Sequence, residues 1–529
     1  MQRMQRIAPD QPHALFDTAA TRRIESAAAA ALAPHTLMQR AGQATARLAL
    51  ALAPHARTIW IACGSGNNGG DGLEAAMLLH RSGHPVVVTW LGTPDTAPAD
   101  ARQSWQRAHD AGVPFAAEPP PLGPQDLCVD ALLGIGLRAA APASTHTPRT
   151  PGARLLQWLT HMRASAAPTL CVDLPSGLIA ETGQYAPGLA PATTATPAAP
   201  RHTLALLTLK PGLFTGHGRD AAGSVWFDDL GVPATAELPC AWLAGPPAVA
   251  ARAHASHKGS FGDVAIVGGE GLAARGMGMT GAALLAASAA LHGGAGRVLV
   301  ALLDAGTLTS TPHRPELMLR RFDALALQHT TVVCGCGGGA AVAAVLEQVL
   351  QQAPRLVLDA DALNAIAANP ALQALLRARG GQPDRATVLT PHPLEAARLL
   401  DTPTASVQAD RLAAAHALAD RYGCAVLLKG SGSVIAAPGR AAVINPTGNA
   451  LLATGGTGDV LAGLVGARLA AAATHRPDGA NAPGSAFAAA DMAFDAAAHA
   501  CWQHGEAADR WPQGHTLTAG ALASLLPPG

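Results

Sequence analysis

The sequence predicts an α/β protein built as two domains in tandem, and three observations carry that expectation. The chain has 529 residues, too many for one ordinary core. Residues 58–209 alternate short, uninterrupted apolar runs with longer helical patterns, as expected of a parallel sheet covered on both faces. After an Ala-, Pro- and Gly-rich stretch at 230–253, the same alternation starts again. The boundary is placed in that stretch, with residues 1–238 as the first domain and 245–529 as the second.

Taken in order, residues 15–54 read as helical. A buried strand is expected at 58–63, then a Gly/Asn loop and a helix over 73–81. Next come a strand at 85–91, a helix at 99–111, a strand at 127–130, a helix at 152–164 and a strand at 169–173. Residues 186–200 are an Ala/Pro/Thr-rich loop before a strand at 202–209. In the second half, strands are expected at 263–267, 298–302, 331–333, 356–358, 388–390, 425–429 and 434–436. Helices are expected at 280–291, 407–422, 458–473 and 486–505.

Composition narrows the function. Hydrophobic residues make up 49% and charged residues 14%, which excludes wholesale disorder. Aromatics are only 3% and alanine is abundant, so small-residue helix packing against Val, Leu and Ile strands is expected. The formal net charge is zero and no block of like charge occurs, which argues against nucleic acid or a membrane surface as partner. No apolar stretch is a convincing membrane span, and the first 17 residues lack the apolar core of a signal peptide. The eight cysteines are scattered, without zinc-type spacing, and read as buried free thiols of a reducing compartment; the cytoplasm is the expectation. Only three lysines occur, Lys210, Lys258 and Lys429, so each merits attention.

The strongest motif is Asn445-Pro446-Thr447-Gly448-Asn449 followed by Ala453-Thr454-Gly455-Gly456-Thr457-Gly458-Asp459. A glycine turn entering a helix aims backbone N–H groups and the positive end of the helix dipole at one point, which suits phosphate. An aspartate there would repel phosphate, but it suits a general base that takes a proton from an attacking hydroxyl; the bland alternative is a helix N-cap. Upstream, Lys429-Gly430-Ser431-Gly432-Ser433 closes a strand. It reads either as a contact for nucleotide phosphates or as a hairpin turn.

In the first half, Gly64-Ser65-Gly66-Asn67-Asn68-Gly69-Gly70-Asp71-Gly72 lies between a strand and a helix, the place of a Rossmann-like phosphate loop. Asp130 and Asp173 follow two further strands. Each alone could cap a helix or make a turn, but acids after three separate strands point to a ligand site at the sheet's carboxyl edge.

Several strings add a resemblance. His257-Lys258-Gly259-Ser260-Phe261-Gly262, Gly278-Met279-Thr280-Gly281-Ala282-Ala283, Leu358-Asp359-Ala360-Asp361-Ala362-Leu363-Asn364 and Thr390-Pro391-His392-Pro393-Leu394-Glu395 join the glycine motif. Over nearly all of 255–529 the chain resembles the ribokinase-like fold and, within it, the ADP-dependent NAD(P)H-hydrate dehydratase family. That family has Gly-Pro-Gly-Leu-Gly where this chain has Gly335-Cys336-Gly337-Gly338-Gly339. Over roughly 15–235, including Leu37 to Gly42 and Leu209-Lys210-Pro211-Gly212-Leu213, it resembles the NAD(P)H-hydrate epimerase family, departing from it at Ala139-Ala140. The fold implied is a Rossmann-like three-layer domain followed by a ribokinase-like α/β domain.

The resemblance implies a potassium ion held by Asn68, Asp130 and Ser176. It implies substrate contacts at Asn67, Asn68, Gly69, Gly70 and Asp71, at Gly134, Ile135, Gly136, Leu137, Arg138, Ala139 and Ala140, and at Asp173. Either Asp173 or Asp71 would move a proton or hydroxyl in epimerisation. In the second half it implies Asp459 as base, Ala282, Gly339 and His392 against the substrate, and Lys429 to Ser433 with Gly458 at the nucleotide. ADP is the implied phosphoryl donor, with Mg2+. The fused order resembles enzymes that repair hydrated NADH and NADPH, acting on small molecules and expected as a homo-oligomer. Two rivals stay open: a vitamin-alcohol kinase in the second half, and a non-catalytic binding module in the first.

Overall fold

Apolar runs become central strands where both faces are covered, and every residue of Ile59–Cys63, Leu127–Ala131 and Thr169–Val172 is buried. The computed structural model describes residues 4–137, 151–192, 199–234, 237–248, 252–304, 308, 310–311, 313–380, 382–474 and 488–528. These fall into two units: residues 4–8 with 14–241, and residues 9–13 with 242–528.

In the N-terminal unit the strands lie in the order Val86–Trp90, Ile59–Cys63, Leu127–Ala131, Thr169–Val172, Arg201–Leu206, Ser224–Asp228. All neighbours are parallel, and Gln5–Arg6 adds antiparallel to the last. The order reverses between Ile59–Cys63 and Leu127–Ala131, and open α/β sheets bind ligands at the carboxyl end of such a switch. The expected helix at 73–81 begins six residues earlier, as Asn67–Arg81. The Gly/Asn segment forms its first turns because glycine lets the turn press on the sheet. A Cβ at Gly69 would lie 2.0 Å from the Gly64 carbonyl oxygen, and one at Gly72 would lie 2.6 Å from Ala131 Cβ.

In the C-terminal unit a parallel array runs Met318–Leu319, Arg297–Leu302, Asp263–Gly268, Thr331–Cys334, Arg355–Leu358, Ala386–Leu389, Ala425–Leu428. Next to Ala425–Leu428 the sheet turns antiparallel, with Val434–Ala436 and then Ala442–Ile444. Here the order reverses between Asp263–Gly268 and Thr331–Cys334. The helix expected over 407–422 is two helices, Thr404–Ala409 and Arg411–Tyr422. Asp410 breaks it: its backbone is extended, and its side chain accepts from the Ala413 N–H at 2.9 Å, as an N-cap does.

The expected small-residue packing is present. Thr280–His292 and Thr457–Thr474 meet where Gly463 rests on Ala286, in a core that gathers Ala287, Ala290 and Ala462 with Val264, Ile266, Val300, Val333 and Val357. The backbones approach so closely that a Cβ at Gly463 would lie 2.0 Å from the Ala286 carbonyl oxygen. Gly463→Ala should therefore force the helices apart and cost about 1–3 kcal/mol. Urea unfolding should show the loss in the C-terminal unit's transition alone.

Candidate active sites

The N-terminal site forms where the two switch-point strands end. Gly64 donates to the Ala131 carbonyl oxygen at 2.9 Å, which ties the two exits together. From there one chain enters the helix Asn67–Arg81 and the other runs through Leu132 to Leu137. Between them opens a cavity of about 830 Å³. It brings together Asn67, Asn68, Asp71, Gly134, Ile135, Gly136, Leu137 and Asp173 of the expected site. Gly69 and Gly70 instead pack inward, against Gly64 and Met38. Arg138, Ala139 and Ala140 lie outside the described residues.

Asp173 sits just past the strand Thr169–Val172 with a left-handed backbone, φ +66°. Its Oδ1 accepts from the Leu206 N–H at 3.2 Å and from the Lys210 ammonium, which also donates to the Leu206 carbonyl oxygen at 2.8 Å. Lys210 is buried, so the ion pair stands largely out of water. Two further carboxyls face the same cavity. Burial, then the Asp173 charge, holds Asp71 well above the usual carboxylate range, and the same two causes in the same order raise Glu25. The site thus sets two carboxyls of raised pKa beside the Asp173–Lys210 pair.

Glu25 and His35 were not anticipated. Glu25 lies in the helix Thr18–Ala31 with no motif around it, and His35 is joined to the buried Glu74 at 2.8 Å. Only the fold brings them to the cavity wall.

Asp130 and Ser176 meet directly. The serine hydroxyl donates to Asp130 Oδ1 at 2.5 Å and its N–H to Oδ2 at 2.9 Å, while the Leu132 N–H reaches Oδ1 at 3.2 Å. Asp130 is buried, and burial outweighs these hydrogen bonds to raise its pKa. No salt bridge to it occurs among the described residues. Asn68 stands against Gly134, and its buried Nδ2 has no hydrogen-bond partner.

In the C-terminal unit, Asp459 lies in the first turn of the helix Thr457–Thr474, inside the helix rather than at its cap. Gly456, with φ +92°, makes the entering turn. Buried His504 anchors that turn, with Nε2 2.9 Å from the Thr457 carbonyl oxygen. Burial lowers His504 to about 4, so the ring is neutral and donates. Burial and then the Asp359 charge push Asp459 up to about 6.

Lys429 turns inward from the strand Ala425–Leu428, with Nζ 2.7 Å from Asp359 Oδ1 and 4.0 Å from Glu395 Oε2. Burial opposes its charge, but the two carboxylates prevail and its pKa rises. Thr390 also donates to Asp359, at 2.8 Å. A Cβ on Gly458 would come within 3.5 Å of Lys429 Nζ, so the lysine reaches the helix start. Gly430 to Ser433 form a hairpin turn between antiparallel strands, held by Ser433 Oγ donating to the Gly430 carbonyl oxygen at 3.2 Å.

His392 caps the helix Pro393–Leu400 through Nδ1 and stands 3.2 Å from Glu395. Burial pushes Glu395 up to about 7. Gly339 donates to Asp361 at 2.8 Å, and a Cβ there would strike Glu270. Ala282 lies beside Gly337 at the same switch point. Asp359 and Glu395 were read only as parts of motifs. The rule applied to the first half, an acid after a strand, also marks Asp359.

Breaking a buried ion pair from one side leaves an uncompensated charge and costs about 3–5 kcal/mol. Lys210→Met should cost that much in urea unfolding. Lys258→Met, at an exposed position, should stay within about 0.5 kcal/mol of the parent.

Comparison with known proteins is consistent with this division. A family model described as NAD(P)H-hydrate dehydratase matches residues 266–527, and one described as YjeF-related protein N-terminus matches residues 34–212. A bifunctional NAD(P)H-hydrate repair enzyme of Escherichia coli K12 is 35% identical over 94% of this chain and 90% of its own. An ADP-dependent (S)-NAD(P)H-hydrate dehydratase of Neisseria meningitidis is 39% identical over 54% of this chain and 88% of its own. Among solved structures, an ADP/ATP-dependent NAD(P)H-hydrate dehydratase from Bacillus subtilis, co-crystallised with ATP and Mg2+, is 28% identical. It matches with a TM-score of 0.40, over 53% of this chain and 92% of that one. With two halves that each carry a site at the switch point of their sheet, and a relative matched along almost its whole length, the chain belongs to the bifunctional NAD(P)H-hydrate repair enzymes.

Proposed function

We propose that this chain returns hydrated NADH and NADPH to use in two steps. The N-terminal unit interconverts the R and S hydrates, and the C-terminal unit dehydrates the S form with ADP, releasing AMP and phosphate. The observation that carries the reading is Asp459, a carboxyl with a pKa near neutrality at a helix N-terminus beside half-buried Lys429.

Hydroxide is a poor leaving group. Asp459 takes the proton of the C6 hydroxyl, whose oxygen attacks the terminal phosphoryl group of ADP and displaces AMP. The N–H groups of the 455–458 turn face the transferring phosphoryl group. Lys429 and the Gly430–Ser433 turn, with Gly458, hold the nucleotide. His392, Gly339 and Ala282 line the hydrated ring. The ring nitrogen's lone pair then expels phosphate, and loss of a C5 proton restores the dihydronicotinamide.

Two ions complete the reading. Asp359 and Glu395 offer hard oxygen donors beside Lys429, which fits Mg2+ arriving with nucleotide phosphates; bound there, it would neutralise charge on the transferring group. In the N-terminal unit, a buried carboxylate met by neutral hydrogen bonds and a serine hydroxyl beside it fit a potassium ion at Asn68, Asp130 and Ser176, where Asn68 would offer its side-chain carbonyl oxygen. There the ion would fix the loops that carry Asn67 to Asp71 and Gly134 to Leu137. Lys210 holds Asp173 toward the same cavity as Asp71, and either can serve the epimerisation. No helix among the described residues is long and apolar enough to cross a membrane. Eight free cysteines support a reducing, cytoplasmic setting. The expectation of a homo-oligomer is kept and is open to sedimentation analysis.

A mixture of R and S hydrated NADH with ADP, Mg2+ and potassium should regain its reduced-nicotinamide absorbance completely, with one AMP per turnover. Recovery that halts with the R form left would reduce the N-terminal unit to a binding module. No recovery with ADP or ATP would bring the vitamin-kinase reading forward.

A base acts only when ionised. Dehydration should therefore rise with pH through about 6, the range to which burial brings Asp459, and reach a plateau above it. Asp459→Ala should remove dehydration and leave epimerisation intact, as measured by the exchange of R and S hydrates.

A further inference from the structure

Cys336 occupies the second position of the turn that follows the strand Thr331–Cys334. Its side chain is fully buried, with Sγ 3.9 Å from Asp359 Oδ2. One ligand atom each from Cys336, Asp359 and Asp459 lies within 4.8 Å of the other two. The three come from separate segments, two strand ends and one helix start, so the fold itself converges them. Lys429 and Thr390 both bond to Asp359 Oδ1, which leaves Oδ2 turned toward the thiol.

One sulfur and two carboxylate oxygens are a poor set for Mg2+, which takes oxygen alone. They suit Zn2+, which binds cysteine sulfur together with carboxylate oxygen and at reactive sites uses three protein ligands with a fourth position open. We infer that Cys336, Asp359 and Asp459 form a site for a thiophilic divalent cation such as Zn2+, whose occupancy shuts down phosphoryl transfer while the N-terminal reaction continues. On binding, the sulfur–hydrogen bond is replaced by a sulfur–metal bond, and the proton leaves to solvent. Asp459, once a ligand, shares its negative charge with the metal and is a much weaker base for the substrate proton. Lys429, close to the other Asp359 oxygen, repels a dication and keeps the site weaker than a structural zinc centre. The effect on rate rests on the proposed role of Asp459; the binding does not.

The full-length protein, freed of metal and without nucleotide, is titrated with Co2+, and the sulfur-to-cobalt charge-transfer absorption is read. The band should appear in the parent and be missing in both Cys336→Ala and Cys336→Ser. With ADP and Mg2+ saturating and free Zn2+ buffered, the Zn2+ concentration that halves dehydration, relative to each protein's own metal-free rate, should rise more than about tenfold in both variants. Epimerisation should not respond to Zn2+. No band in the parent, a band that persists in both variants, or equal inhibition of all three proteins would overturn the site. A band that depends on Cys336 in a protein with no dehydratase activity would keep the site and sink the reading of the reaction.

Discussion

In each half of the chain a lysine ammonium is held largely out of water against an aspartate at the carboxyl edge of a parallel sheet. Lys210 meets Asp173, and Lys429 meets Asp359. Neither charge would survive there alone, so each pair requires the other group and the loops that present it. The pairs also set the electrostatics of their surroundings. The Asp173 charge helps raise Asp71 and Glu25, and the Asp359 charge helps raise Asp459 toward neutrality, in each case after burial has done most. A carboxyl poised near neutral pH at a glycine turn is thus a product of burial plus one fixed neighbour.

Close backbone approach makes those pairs reachable. Gly64 and Gly69 let the first turn of a helix rest on the sheet, and Gly463 lets two alanine-rich helices nearly touch. With few aromatic side chains to fill space, the layers close down on small residues, and strand ends from different parts of the chain come within hydrogen-bonding distance. These glycines act mainly as missing side chains.

Much of this was legible in the sequence. Apolar runs such as 59–63 and 127–131 marked the buried strands, and the acids that follow them marked the site, because a parallel sheet places every strand end on one edge. The string Gly455 to Asp459 reads as an anion hole with a carboxyl in it, or as a capped helix, and the structure places that carboxyl in the first helical turn. What could not be read depended on distance in space. Glu25 and His35 reach the cavity from a helix and a loop far along the chain, and no local pattern distinguishes them. The break at Asp410 was hidden because the apolar pattern continues across it, and only the cap reveals it. Cys336 read as a departure in a turn, and its closeness to two aspartates appeared only with the fold.

Residues 9–13 group with the C-terminal unit although in the chain they lie between residues 4–8 and 14–241 of the N-terminal unit. The covalent order and the spatial order of this protein therefore differ. A gene cut at the boundary between Ala241 and Trp242 would give a second fragment lacking five residues that belong to it, and a first fragment carrying them with nothing of their own to join. Dissection into separate proteins would succeed better by permuting the chain, so that this short segment travels with the unit it completes.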